Sequence, residues 1–283
     1  MALARVRLPD DGWPTCTYGA SRLRFRGPPR PLTGGYIACL GGGDTIGGEV
    51  RRPWPEVLER ALARPCLNLG LANASPDAFL NDPGLLDLVR GAELTVIEAV
   101  GAQNMTNRLY AVHPRRNDRF IGARPPLEAL FPEVDFADFC FTRHMLGTLA
   151  GLSRRRFSIV RAELQQAWIG RMRQLIAAAG GRAVLAWLAP AAPPRGPEEG
   201  GTLGPDPLFV TAEMLSALRG DLAALWIRPA PGPGDSEDRR HDRIGAALAG
   251  LSGPLLEAQA GQEGAYSFSV SSGTAVKRSA TSP

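Results

Sequence analysis

Five short apolar runs, each followed by a stretch with helical spacing, dominate the chain between residues 36 and 259. They are residues 36–40 (YIACL), 65–69 (PCLNL), 94–100 (LTVIEAV), 182–188 (RAVLAWL) and 222–227 (LAALWI). Strands that are apolar at nearly every position need cover on both faces, and alternating strands and helices supply it as a parallel sheet. Right-handed crossovers leave few ways to connect such a sheet. The sequence therefore predicts a three-layer, doubly wound α/β domain, flavodoxin-like, with a five-stranded parallel sheet in the order 2-1-3-4-5.

The helices between the runs carry their own punctuation. Pro opens the stretch 53–63, where its missing N–H costs nothing. Asp82 precedes Pro83 as an N-cap for a helix to about Arg90. A long helix over 154–179 stops at Gly180-Gly181, and further helices are expected over 212–218 and 239–259. Around this domain (36–260) the reading places a polar N-terminal arm (1–35) and a loop-rich insertion (101–154). It adds a Pro/Gly linker (189–207) and a Ser/Gly/Thr-rich tail (261–283), too polar to bury a core and expected to be disordered.

Composition narrows the function classes. The net charge is +4, yet Lys277 is the only lysine, and Arg in company with abundant Ala, Gly and Pro is the bias of a GC-rich genome. No aromatic–basic interleaving accompanies the charge, so nucleic acid is not an expected partner. Cys16, Cys39, Cys66 and Cys140 form no CxxC pair or zinc spacing, and no metal site is expected. The first residues lack a signal-peptide apolar stretch, and no run reaches the ~18–20 apolar residues of a membrane span. A reduced, cytoplasmic protein is the expectation, with a small molecule or a glycan-linked compound as partner.

In an open α/β sheet ligands sit outside the carboxyl ends of the strands, so the loops there matter most. After the first run comes LGGGDTIGG (residues 40–48), which has neither the Lys-Ser/Thr pair of a P-loop nor a Rossmann GxGxxG. No cofactor is therefore expected. After the second comes NLGLANAS (68–75), and after the third VGAQNM (100–105). Before the last helix stands Asp238-Arg239-Arg240-His241.

In this order and at these intervals the chain resembles the SGNH (GDSL-type) hydrolases over about residues 36–259. Their blocks are GDS after strand one, a Gly-rich turn after strand two, GxND after strand three, and DxxH before the final helix. The resemblance implies ester hydrolysis or acyl transfer on a small or carbohydrate-linked ester. Thr45 would then be the nucleophile, His241 the general base and Asp238 the group that orients it. Gly43, Gly70, Asn73, Gln103 and Asn104 would line the oxyanion and binding site.

Two registers are open. Aligned on GDT, Thr45 takes the serine position; aligned on GDSxTxG, Thr45-Ile46-Gly47 match TxG and the serine position falls on Gly43. In the second register the nucleophile is gone, and the protein becomes a catalytically inactive binder of a polar or anionic ligand. Ser75 is a spare hydroxyl. A third reading is a transferase using a phosphorylated or sulfated donor.

The stretch 101–120 also resembles the signature GAQNMxNRxYxVHPRRNDRF of a group of alphaproteobacterial proteins with no activity attached. It gathers Arg108, His113, Arg115, Arg116 and Arg119 on one loop. Arg forks bind oxyanions bidentately, so these residues are an expected anion site. The other reading is that they tie the loop to Asp118, Asp135 and Asp138.

Overall fold

The computed structural model describes residues 12–196, 203–228 and 236–270. Its centre is an all-parallel sheet of β1 (Ile37–Gly41), β2 (Cys66–Gly70), β3 (Leu94–Glu98), β4 (Ala183–Trp187) and β5 (Ala224–Ile227). The hydrogen-bonded order is β2-β1-β3-β4-β5.

The helices between and around them are α1 (Gly43–Ile46), α2 (Trp54–Leu62), α3 (Pro76–Leu80) and α4 (Pro83–Gly91). There follow α5 (Pro125–Leu130), α6 (Thr142–Leu152), α7 (Arg154–Ala178), α8 (Ala212–Leu218) and α9 (Glu237–Val270). Asp82 caps α4 by accepting from Leu85 N at 2.8 Å.

The pleat sorts each apolar run onto two faces. Ile37, Cys39, Val96 and Val184 pack with Trp54 and Leu58 of α2 and with Ile244 and Leu248 of α9. Ala38, Leu40, Leu69, Ile97 and Leu185 face the other way, into α4, α7 and α8. Two cores are thus built from alternate residues of the same strands, which is why the strands read as continuously apolar. Among the described residues no helix is long and apolar enough to cross a membrane.

Three parts of the chain depart from the expectations. The arm is not only an arm: Thr15–Cys16 pairs antiparallel with Phe25–Arg26, and Tyr18 and Phe25 are buried in the larger core. Arg26 then donates to Ile46 O and Gly47 O at 3.0 Å and to Val50 O at 2.9 Å, holding the loop after α1. Two aromatic anchors were hidden by the polar residues around them.

The insertion holds the hairpin Tyr110–Val112/Phe120–Ala123 besides α5 and α6. Asn107 Oδ1 sets its start by accepting from Leu109 N at 2.8 Å and Tyr110 N at 3.2 Å. Finally, α9 runs past residue 259 to Val270. The expected disorder of residues 271–283, and the parts of the linker and last loop at 197–202 and 229–235, lie outside the described residues.

Candidate functional site

A cavity of about 770 Å³ opens at the carboxyl ends of the strands. Its floor is the β1–α1 turn and the end of β3. Gly41 must lack a side chain here, because a Cβ would collide with Thr45 Oγ1 and Glu98 Oε2. That closeness lets Glu98, the last residue of β3, receive three hydrogen bonds on one oxygen. They come from Gly42 N (2.8 Å), Thr45 N (3.0 Å) and Thr45 Oγ1 (2.6 Å). Among the described residues Oε1 carries none of the hydrogen bonds, and the side chain lines the cavity. Burial, then the nearby Asp44 carboxylate, push the Glu98 carboxyl up to about 7, although the three hydrogen bonds pull the other way. Desolvation of the charged form wins because the group is only 9 % exposed.

The opposite wall comes from β5 and α9. Arg240 forms ion pairs with Asp44 and with Glu237, the latter at 2.5 Å. Burial alone would lower the Arg240 value; the two carboxylates outweigh it and raise it. Arg228, directly after β5, donates to Leu188 O at 3.0 Å. The third wall is the loop after β3 with that after β2. Asn104 donates to Asn73 O at 3.3 Å and accepts from Thr142 Oγ1 at 2.7 Å. Asn73 holds φ +53°, a left-handed conformation that Asn tolerates where a glycine would otherwise stand. Gln103 Nε2 reaches Asp206 Oδ1 at 3.5 Å, and its Oε1 has no partner among the described residues.

Of the residues named from the sequence, Gly43, Asn73, Gln103 and Asn104 therefore meet around one cavity. Gly70 serves packing instead: a Cβ there would lie 2.6 Å from Ile46 N. The proposed triad is corrected. Thr45 is fully buried and spends its hydroxyl on Glu98. His241, 1 % exposed, accepts from Trp54 N at 3.1 Å through Nδ1. Burial, then the adjoining Arg240, hold its imidazole below the ordinary histidine range, so it stays a neutral acceptor.

Asp238 accepts from Arg51 N at 3.2 Å, and Asp242 pairs with Arg52 at 3.1 Å. DxxH is thus a clamp. It supplies the start of α2 with the acceptor that Pro53 cannot give, since that helix has no side-chain N-cap of its own.

The expected anion loop is not assembled at this cavity either. Arg108 pairs with Glu163 at 2.5 Å, His113 Nδ1 accepts from Arg115 N and Arg116 N at 3.1 Å, and Arg119 lies over the Phe141 ring. Arg108 and Arg119 therefore fix the insertion, though not through Asp118, Asp135 or Asp138. Ser75 is fully buried, its hydroxyl 2.9 Å from the Asn117 amide oxygen, whose nitrogen donates to His113 O and Pro114 O.

The residues the sequence reading missed are Asp44, Glu98, Arg228, Glu237 and Arg240. One signal was available: Glu98 is the single charge inside the run LTVIEAV, and a carboxylate buried in such a strand needs a partner.

A second cavity of about 700 Å³ lies beyond Asp206-Pro207, lined by Phe157, Trp187, Phe209 and other largely apolar groups. It also carries Arg154 and Arg161, but of carboxylates only Asp206, whereas the first has Asp44, Glu98 and Glu237 besides.

A family profile matches residues 1–267, described as a domain of unknown function (DUF6473). The chain belongs to that family. The match takes in the arm, the sheet, the insertion and nearly all of α9 together, so every wall of the cavity lies inside the family's domain. No curated protein matches the chain.

Proposed function

We propose that this member of the family is an SGNH-like, flavodoxin-like α/β protein that binds a polar small molecule at the carboxyl ends of its strands and lacks the hydrolase triad. One observation carries the reading. The hydroxyl of Thr45 and the imidazole of His241 are both turned inward and occupied, while Gly43, Asn73, Gln103 and Asn104 still surround a cavity large enough for a ligand. Carboxylates, amides and guanidiniums share the walls, which suits a hydroxyl-rich compound that both donates and accepts.

The test is hydrolysis of a short-chain p-nitrophenyl ester. Wild type, Thr45→Ala and His241→Ala are expected to be equally inactive above background. Saturable hydrolysis by wild type that either substitution abolishes would restore the triad and end this reading.

A catalytic variant has one observation in its favour. Glu98 sits in the cavity wall near half-protonation at neutral pH, the condition in which a carboxyl serves best as acid or base. Turnover of any bound compound with a bell-shaped pH profile, lost in Glu98→Gln, would establish it.

A further inference from the structure

Arg228 poses a problem that the described residues do not solve. It is 7 % exposed and stands in the wall of the cavity. Among the described residues its guanidinium makes one hydrogen bond, to the neutral Leu188 O, and no ion pair. Its side chain stands among the residues that line the cavity, beside Arg240 and Glu237. Asp44 and Glu237 lie near enough to favour its charge, but both are engaged by Arg240. Burial, then Arg240 itself, lower the Arg228 value. A buried guanidinium beside a second one is costly unless something neutralises it. The planar fork is also the group best matched to an oxyanion.

We propose that Arg228 anchors a single oxyanion of a hydroxylated ligand in this cavity, with the free Glu98 oxygen and Gln103 Nε2 meeting the ligand's hydroxyls. The anion is a carboxylate or a phosphate or sulfate monoester, chemistries that a guanidinium reads alike. More than one anion is disfavoured, because four carboxylates (Asp44, Glu98, Asp206 and Glu237) share the walls with two guanidiniums. The inference rests on the proposed polar-ligand cavity and gives it a substrate class.

Thermal unfolding of the full chain tests it with matched probes: gluconate against sorbitol for the carboxylate, and glucose 6-phosphate against glucose for the phosphate monoester. One anionic probe is expected to raise the wild-type midpoint by roughly 5 °C at about a hundredfold excess over Kd, and well beyond its neutral counterpart. Which anion does so distinguishes the two sources. Arg228→Met is expected to melt no lower than wild type without ligand and to lose the difference between charged and neutral probes. A large drop in the free variant's midpoint would make Arg228 a structural residue and overturn the proposal. Equal shifts with charged and neutral probes in wild type would also overturn it and leave the polar-ligand cavity standing. No shift with any of the four probes would remove both.

Discussion

The first turn of α9 has two faces that do opposite things. Asp238, His241 and Asp242 point at the segment 51–54 and hold the entrance of α2. Glu237 and Arg240 point into the cavity with Asp44. On a helix, positions three and four apart share a side. A DxxH spacing therefore guarantees that Asp and His lie together, without saying which side of the helix the ligand is on. In this protein the pair falls on the packing side. What reads as a catalytic motif is a clamp, and the residue just before each member of the pair faces the cavity.

The sharpest way to test that division is the pH dependence of stability, which belongs to the cavity side. Glu98 in the folded protein is raised from 4.5 to about 7. Its contribution is fully present below about 4.5 and is lost as pH rises through about 7. Between pH 8 and pH 4.5 wild type should gain roughly 3 kcal/mol relative to Glu98→Gln. Urea unfolding of both across that range measures it, and parallel curves would mean that Glu98 is not buried as a carboxylic acid.

The clamp side should respond differently. His241→Ala leaves a buried N–H of Trp54 without an acceptor and is expected to cost about 2 kcal/mol. Asp238→Ala, at an exposed acceptor that water replaces, should cost about 0.5 kcal/mol or less. If the two losses were similar, or if His241→Ala left denaturant unfolding unchanged, the clamp would not be what fixes α2.

The smallest effect is expected at Gly43, where a Cβ would meet nothing within 4 Å. Gly43→Ser should change stability by less than about 0.5 kcal/mol. It should also create no ester hydrolysis, because the only nearby histidine assigned by DxxH is committed to Trp54. Esterase activity in this variant would show that a base exists on the cavity side after all.

How much of this was legible follows a physical line. The five apolar runs and their helices could be read from spacing because burial on two faces leaves a local, repeating mark. The runs 94–100 and 182–188 hold β3 and β4 within two residues at each end. The cavity loops were legible by position, since glycine and Asn at strand ends mark turns. The arm was not, because Tyr18 and Phe25 are isolated aromatics in polar sequence and only their docking partners make them core.

The amino-acid sequence by itself determined the α/β layering, the strands and the loops that would gather at one end of the sheet. Only the tertiary structure decided which side chains in those loops face the cavity and which are used up holding the fold. The reason is that a side chain's role depends on what fills its hydrogen-bonding capacity. For Thr45, His241 and Glu98 those partners come from segments 53, 187 and 56 residues away. No local pattern records such a partner, so the same letters serve equally well for a triad or for a clamp beside a charged cavity.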